Sequence, residues 1–481
     1  MPESRERNAE RSAGQADADA PRPMLGLRPA VLLIVGIVVG AGIFKAPAAV
    51  AGMTGSPGWM FLAWALGGLL SLVGALCYAE LATSYPHAGG DYHFLQRAYG
   101  RALAFLYGWA RYAVITTGSI ALLAFVFGDY LQQALPLGTL APATGSTVYA
   151  AAAVLALSLV NLRGLRSSSA TQSWLTLAEV AGLLLVAATA ALLLPQALPQ
   201  ATATATAAPA SGTGLPPAFG LAMVFVLLTY GGWNEAAYIS AELRHGRRDM
   251  VRALLLSVGL VSVLYLLVCW AYWHVLGMQG LAASNAPAAD VLRRGFGPVG
   301  ERVMAALVAL SALTSINATM IVGARTGYAM GRDWRRLGWL ARWDGARACP
   351  VTALAAQSAA ALLLLGLGSA SGDGFRAMVE FTAPVFWLFF LLTGAALIVL
   401  RRREPQHVRP FRVPWYPLLP LLFCASSAAM LYSSLSYVSQ QSLGGISAAW
   451  IGAAVLGVGV LLLLALQRDA LAIHPTHKEK P

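Results

Sequence analysis

The sequence predicts an all-α polytopic membrane protein with about twelve transmembrane helices. Of its 481 residues, 58% are hydrophobic and only 11% are charged, and such a composition does not suit a soluble core. A window of about 19 residues locates the apolar segments that are long enough to cross a bilayer. The predicted spans are residues 30–51, 58–83, 102–127, 147–162, 171–194, 218–242, 251–277, 303–328, 351–368, 375–400, 414–436 and 446–467.

The first span is interrupted by three glycines and a proline between Gly36 and Pro47. Irregular backbone at membrane depth survives only where it faces protein or a water-filled cavity, because an unpaired N–H or C=O group is costly in lipid. The start of one half-helix then offers N–H groups to an anion, and the end of the other offers carbonyls to a cation. This stretch is therefore predicted to bind a zwitterion.

The sixth span is interrupted in the same way, by the sequence YGGWN at residues 230–234. Two such interruptions in corresponding positions of two halves indicate the binding site of a secondary transporter built from inverted repeats. The alternative is that the glycines serve close helix packing, and Gly36 and Gly40 fit that spacing. Because the breaks are paired and the first also carries Pro47, we favour a binding site.

Charge and motif content exclude several classes of function. The net charge of +12 comes largely from arginines in short loops rather than from a basic stripe, so nucleic-acid binding is not predicted. The four cysteines have neither disulfide-framework nor metal-ligand spacing, and no metal or cofactor is expected. There is no GxxxxGK[ST] run for ATP and no apolar stretch near the N-terminus for a secretory signal. Most loop arginines lie in loops of one parity, with Arg293, Arg294, Arg302 and Arg376 as exceptions, and this pattern predicts that both termini are cytoplasmic.

Together these features resemble the amino acid–polyamine–organocation family of secondary transporters. GAGIF at residues 40–44 is similar to the family's Gly-Ser-Gly-Ile-Phe break, and residues 230–234 resemble its sixth-helix break in the form typical of the L-type amino acid transporter branch. YAEL at residues 78–81 and PHAGGDY at residues 86–92 resemble the end of its second helix and its first internal loop. Further similar signatures lie at residues 323–325, 330–333 and 409–414.

The resemblance implies a LeuT-like fold of 5+5 inverted repeats with two extra C-terminal helices, in the cell (inner) membrane. It implies alternating-access transport of amino acids, typically neutral L-amino acids, by proton coupling or by exchange. The implied division of the chain is a tail of residues 1–28, a core of residues 29–400 with repeats 29–194 and 218–400, peripheral helices at 401–467 and a tail at 468–481.

The same resemblance implies how the substrate is held. Backbone N–H groups of Ala41 and Gly42 would bind its carboxylate, and the carbonyls of Val38, Leu228 and Gly231 its ammonium. Ala41 replaces the family's serine, so one hydroxyl contact is missing. The full implied set is Val38, Gly40, Ala41, Gly42, Ile43, Leu228, Tyr230, Gly231 and Asn234.

Glu179 in the fifth span is the most notable single residue, since ionisable side chains inside a membrane are rare and usually functional. Many L-type relatives have a lysine here, near the place of a sodium ion in sodium-coupled members. Glu179 would either carry a proton or fix a cation, with Ser311, Thr314 and Ser315 of the eighth span as neighbours. The alternative is structural: a hydrogen bond to those hydroxyls or a salt bridge to Arg111.

Other charged or aromatic residues have two interpretations each. Glu235 follows Asn234 and would favour a cation or a proton if it faces the cavity. Lys45 would either attract a carboxylate in an outer vestibule or extend to the lipid headgroups. Trp233 is a gating candidate that is expected to pack behind the break, and Glu80 is expected in an ion pair near a helix end.

The runner-up within transport is a cationic amino acid or polyamine carrier, because Glu179 and Glu235 bring negative charge to the site. A non-transporting amino acid sensor is an alternative of another class, although the loops are too short for a signalling domain. An enzyme is not predicted, because no nucleophile–base or metal constellation is present. A disulfide-linked heavy chain is not expected either, because the loop between Gly128 and Ser146 has no cysteine.

Overall fold

The structure is a computed structural model, and it describes residues 26–87, 90–138, 140–163, 169–193, 216–235, 246–344, 349–438, 442–443 and 446–473. Fifteen helices make up most of this part of the chain. They are α1 (Leu27–Val38), α2 (Ala46–Thr54), α3 (Pro57–Ser84), α4 (Gly90–Tyr99), α5 (Arg101–Ala110), α6 (Thr117–Ala134), α7 (Pro142–Leu162), α8 (Ser169–Leu192), α9 (Phe219–Thr229), α10 (Gly246–Ala283), α11 (Pro287–Asp333), α12 (Val351–Ser369), α13 (Gly374–Arg403), α14 (Leu418–Val438) and α15 (Ala448–Ile473).

Shorter elements connect some of these helices. Shorter 3-10 turns include Ala41–Phe44 and Arg335–Ala341, and a π-helical turn at Arg111–Thr116 joins α5 to α6. Before α15, strands β1 (Ser442–Leu443) and β2 (Ile446–Ser447) form a small antiparallel hairpin. This hairpin is the one sheet in the described residues, so the fold is all-α in its architecture.

The described residues of the twelve predicted spans lie mainly on helices, which confirms an all-α polytopic membrane protein. Shorter apolar stretches in α8 and α15 provide the fifth and twelfth spans, Thr176–Leu192 and Ile451–Ala465. The interrupted first and sixth spans lie on α1–α2 and α9. By length and composition, eight described helices can cross a membrane: Pro57–Ser84, Arg101–Ala134, Pro142–Leu162, Arg248–Ala283, Pro287–Asp333, Val351–Ser369, Gly374–Arg403 and Leu418–Tyr437.

Helix ends differ from the predicted boundaries. α1 begins at Leu27 and α15 continues to Ile473, so both invade the predicted tails, because a hydropathy window misses polar helix ends. Residues 1–25, residues 236–242 of the sixth span and residues 474–481 lie outside the described residues. The division of the core into two repeats stays a prediction.

The end of the bundle that carries α4 is held by buried ion pairs. Glu80 of α3 is 2% exposed and accepts hydrogen bonds from Arg401 of α13 and from the backbone N–H of Val413, at 2.6 Å for the latter. The Arg409 guanidinium lies 3.7 Å from the same carboxylate. Because a buried carboxylate without a partner is strongly destabilising, these contacts fix the chain after α13 against the second span. Glu80 thus lies in the ion pair that the sequence predicts.

Candidate functional site

The first span is interrupted where its glycines predict. α1 ends at Val38, Gly40 has an extended backbone with φ −106°, and the turn Ala41–Phe44 leads into α2. The first N–H groups of such a turn have no acceptor within the turn. The N–H groups of Ala41 and Gly42 are therefore available to an anionic group of a ligand.

The sixth span is interrupted beside it. α9 ends at Thr229, and Gly232 has φ 105°, a conformation that residues with a side chain rarely adopt. A Cβ at Gly232 would come within 2.9 Å of the Ile37 carbonyl oxygen, so the two breaks touch here. The Asn234 side chain accepts a hydrogen bond from the Gly232 N–H at 3.3 Å, which holds the irregular turn in shape.

A tyrosine of the seventh span joins the two breaks. The hydroxyl of Tyr265, a fully buried residue of α10, lies 2.8 Å from the Val38 carbonyl oxygen and 3.3 Å from that of Thr229. These two residues end α1 and α9. Sequence analysis did not single out Tyr265, because a lone tyrosine in an apolar span gives no sign of which backbone groups it will reach.

The Val38 carbonyl is not open to a substrate in this conformation. It accepts the Gly40 N–H at 2.8 Å as well as the Tyr265 hydroxyl, and a carbonyl oxygen has two lone pairs. The Leu228 carbonyl accepts the Gly231 N–H at 3.0 Å. A substrate ammonium would therefore have to displace one of these donors before it could bind Val38, whose role in substrate binding stays a prediction.

Both breaks line one cavity of about 300 Å³. This volume is near the lower end of the roughly 300–1,000 Å³ range of ligand pockets and suits a small molecule. The predicted residues on its wall are Val38, Gly40, Ala41, Gly42, Leu228, Gly231, Asn234, Glu235 and Ser315. The rest of the wall is mostly apolar: Ile37, Ile115, Leu122, Leu123, Phe225, Phe375, Val379 and Phe386, with Ser119, Thr229, Gly232, Thr319 and Thr382.

The side chains of Ile43, Tyr230 and Trp233 do not line this cavity. Ile43 is fully buried in the 3-10 turn, and the Tyr230 hydroxyl donates to the Trp64 carbonyl at 3.1 Å. Trp233 packs edge-on against Tyr78, with ring centroids 5.2 Å apart. Adjacent residues of a tight turn point to opposite sides, so these three pack behind the breaks.

The carboxylate of Glu235 lines the cavity and has a cationic partner. Arg111, in the π-helical turn of the third span, donates to its two oxygens at 3.0 and 2.9 Å. Another guanidinium nitrogen of Arg111 donates to the Tyr107 hydroxyl at 3.0 Å. The sequence left open a salt bridge between Arg111 and Glu179, whereas the structure pairs Arg111 with Glu235. A charge inside the third span was the signal that pointed to Arg111.

A second cavity, of about 290 Å³, continues from the first toward α4. Asp91 of α4 and Thr393 of α13 line it, along with Arg111. The lining residues that the two cavities share are Ile37, Ile115, Ser119, Asn234, Glu235, Thr319 and Phe386. The two breaks thus connect to the α4 end of the bundle through the Arg111–Glu235 ion pair.

Glu179 lies behind the first span and lines neither of these two cavities. It is 4% exposed, and the Ser311 hydroxyl is beside its carboxyl without completing a hydrogen bond of standard geometry. It is also within electrostatic range of the Tyr265 hydroxyl. The Thr314 hydroxyl donates to the Ser311 carbonyl at 2.8 Å, a hydrogen bond within its own helix. Of the three hydroxyls that the sequence predicts as neighbours, that of Ser311 lies beside the carboxyl.

A third cavity, of about 730 Å³, lies at the opposite end of the bundle, where α6 passes into α7. Lys45 lines it, but its ammonium is only 2.7 Å from Asp129 and 3.1 Å from the Asn285 carbonyl, and the residue is 7% exposed. Asp129 also accepts the Ser146 hydroxyl at 2.5 Å. Lys45 therefore neither extends to headgroups nor offers an unpaired charge to a carboxylate, which corrects both expectations.

Comparison with known proteins bears on what this arrangement does. The profile of the family described as "Amino acid permease" matches residues 25–465. The chain is 30% identical over 399 residues to the b(0,+)-type amino acid transporter 1 of Mus musculus, covering 83% of this chain and 80% of that protein. It is 29% identical over 460 residues to the large neutral amino acids transporter small subunit 2 of Homo sapiens, covering 95% and 81%.

Proposed function

This chain belongs to the amino acid permease family of membrane transporters and is not an enzyme, and on that premise we propose that it carries neutral L-amino acids by alternating access. The charge balance of the first cavity carries this proposal. Glu235 is the single carboxylate on the described wall of that cavity, and one guanidinium nitrogen of Arg111 donates to both of its oxygens. A substrate with an uncharged side chain leaves that pair intact.

The proposed pose follows from the backbone of the two breaks. The substrate carboxylate accepts hydrogen bonds from the N–H groups of Ala41 and Gly42, and the ammonium faces the carbonyls of Leu228 and Gly231. An apolar side chain then lies among aromatic rings such as that of Phe225. A relative named for large neutral amino acids supports this choice of substrate class.

A cationic amino acid is the second candidate, because the Glu235 side chain is 33% exposed and lies on the cavity wall. An entering cationic side chain would compete with Arg111 for that carboxylate. The Arg111–Glu235 pair is therefore the feature that decides between the two substrate classes.

Arg111→Gln should change substrate preference. Wild-type protein in liposomes is expected to take up labelled leucine, and excess unlabelled neutral amino acids but not arginine should inhibit this uptake. Arg111→Gln leaves Glu235 without its guanidinium, so inhibition by arginine should strengthen about tenfold, since charge-assisted hydrogen bonds contribute about 1.5–3 kcal/mol. The inhibition constants of leucine and arginine measure the shift.

Arg111→Lys is the matched control, since it keeps the positive charge. It should keep the preference for neutral amino acids. If the wild type takes up arginine as well as it takes up leucine, the cationic candidate is favoured. If it takes up neither amino acid, a sensor is favoured and the proposed transport is refuted.

We also propose that Glu179 couples a proton to transport. The position of Glu179 supports this proposal. Its carboxyl is buried beside Ser311 and lies within electrostatic range of Tyr265, the residue that joins the breaks. A proton there changes the charge next to both helix ends. Exchange of internal for external amino acid, without a proton, is the alternative.

Glu179→Gln mimics the protonated carboxyl permanently. An inward proton gradient is expected to raise leucine uptake several-fold in the wild type, and Glu179→Gln should lose this response while retaining uptake without a gradient. Glu380→Gln, another buried carboxylate that pairs with Arg376 at 2.9 Å, is the control and should keep the response. Uptake that ignores the gradient but needs internal amino acid would identify exchange instead.

We further propose that both termini are cytoplasmic and that transport needs no disulfide-linked heavy chain. All four cysteines are free: Cys77, Cys269 and Cys349 are buried, and Cys424 is partly buried. The relative named a small subunit is thus not expected to share its assembly with this chain. Labelling of terminal tags in intact cells tests the orientation, and uptake by the purified chain alone tests the independence.

A further inference from the structure

Asp91, in the first turn of α4, is a buried carboxylate with one unsatisfied oxygen. It is 2% exposed and lines the second cavity. Its Oδ2 accepts a hydrogen bond from the Tyr107 hydroxyl at 3.1 Å, while its Oδ1 has no hydrogen-bond partner among the described residues. The Tyr78 hydroxyl faces the carboxyl without completing a hydrogen bond of standard geometry. A buried polar atom without a partner calls for an explanation.

Asp91 is linked to the substrate cavity by a continuous chain of hydrogen bonds. The Tyr107 hydroxyl donates to Asp91 and accepts from Arg111 at 3.0 Å. Arg111 in turn donates to both oxygens of Glu235, which lines the first cavity. One guanidinium and one phenol therefore connect a carboxylate at the α4 end to a carboxylate at the break of the sixth span.

The described residues in this series of hydrogen bonds carry an excess of negative charge. Two carboxylates, Asp91 and Glu235, face one guanidinium, and the α3 and α5 groups next to Asp91 are the uncharged phenols Tyr78 and Tyr107. The eighth and tenth spans add only uncharged residues to the lining of the second cavity: Ala318, Thr319, Val322, Phe386, Phe389, Phe390 and Thr393. An ionised carboxylate that is buried without full compensation is unstable and takes up a proton instead.

We propose that Asp91 is a proton-binding site, which takes one proton from the solution on the α4 side of the membrane and thereby balances the charge of the Asp91–Arg111–Glu235 group. The proton bonds to Oδ1, the oxygen without a partner, and Tyr107 continues to donate to Oδ2. Protonation also removes the negative charge that competes with Glu235 for Arg111. Binding of a proton at Asp91 thus affects the Arg111–Glu235 pair in the wall of the substrate cavity.

The ionisation behaviour of Asp91 agrees with this geometry. Burial raises the pKa of the Asp91 carboxyl from 3.8 to about 6, against the opposing effects of Tyr78, Arg111 and Tyr107. Since a raised pKa keeps the proton on the carboxyl below about pH 6 and releases it above, the site titrates close to neutral pH. Two other titratable groups lie nearby in the chain, His87 and His93, whose rings stack with centroids 4.3 Å apart, and a test has to separate them from Asp91.

Infrared difference spectra of the full chain in lipid, recorded as the pH is lowered from 8 to 4, observe the site directly and need no substrate. The carboxylic acid C=O band of a protonated Asp91 is expected to grow with a midpoint near pH 6. Asp91→Asn should remove this band. Glu179→Gln and His93→Asn should retain it, because neither changes the Asp91 carboxyl.

Tyr107→Phe provides a second test that keeps the carboxyl in place. It removes the donor to Oδ2, which stabilises the ionised form, so the midpoint is expected to rise by about one pH unit or more. The proposal is overturned if Asp91→Asn retains the band, if the midpoint lies at or below pH 4, or if Tyr107→Phe leaves the midpoint unchanged. Loss of the band on adding sodium at pH 6 would also overturn it in favour of a metal-cation site. Each of these outcomes is independent of whether neutral amino acids prove to be the substrate.

Discussion

Replacing Gly232 with alanine is expected to reduce leucine uptake at least tenfold. The residue has φ 105°, and its new Cβ would lie 2.9 Å from the Ile37 carbonyl oxygen. A side chain in such a conformation costs about 1–3 kcal/mol, and the clash with backbone adds to that. About 1.4 kcal/mol corresponds to a factor of ten in rate or population. The strain and the clash together should therefore push the two breaks apart strongly enough to cause this loss of uptake.

Two measurements are needed for the Gly232 variant: initial uptake rate in liposomes and thermal unfolding of the purified protein. Gly40→Ala is the matched control in the other break, since φ there is −106° and a Cβ would meet nothing within 4 Å. Gly40→Ala should unfold like the wild type, and the methyl group in the cavity should raise the KM for leucine. If Gly232→Ala transports normally, the contact between the breaks has no role in transport.

Tyr265→Phe is expected to give the second large effect. It removes the hydroxyl that lies 2.8 Å from the Val38 carbonyl and 3.3 Å from that of Thr229. Loss of a buried hydrogen bond destabilises the folded protein by about 1–3 kcal/mol. Here the lost bond also keeps the ends of α1 and α9 next to each other. Uptake per folded molecule should therefore fall roughly tenfold, which initial rates normalised to folded protein would measure.

Tyr230→Phe is the control for Tyr265→Phe, because Tyr230 is also fully buried and also donates to a backbone carbonyl, that of Trp64 at 3.1 Å. Both variants should lower the unfolding temperature by a similar amount. Only Tyr265→Phe should lower transport beyond the loss of folded protein. An equal loss of transport in both would show that the Tyr265 hydroxyl matters for stability alone.

The resemblance to the amino acid transporter family rested on short backbone motifs, and the match over residues 25–465 confirms it. The GAGIF and YGGWN motifs carry the information because they interrupt helices, and an interrupted helix exposes backbone groups wherever it occurs. Side-chain roles were harder to predict. Tyr230 lies inside a motif yet points away from the cavity, whereas Tyr265 and Phe225 lie in apolar stretches outside the motifs and reach the site.

Charged residues show the same limit. Arg111, Glu179 and Glu235 stand out in the sequence because each lies in or beside an apolar span, where a charge is rare. Which of them pair depends on the rotation of each helix and on which spans are neighbours. The structure pairs Arg111 with Glu235 and leaves Glu179 beside Ser311. Spacing along the sequence does not predict which of the two carboxylates Arg111 contacts.

The sequence by itself determined that this protein spans a membrane many times, the approximate place of each span and which two spans are broken. It could do so because a bilayer requires each segment to satisfy its own backbone hydrogen bonds, so hydropathy and glycine content act locally. Only the tertiary structure decided that Tyr265 joins the breaks, that Lys45 pairs with Asp129 and that Asp91 connects to Glu235 through Arg111. Those contacts join residues far apart in the chain, and they follow from how the helices pack against one another.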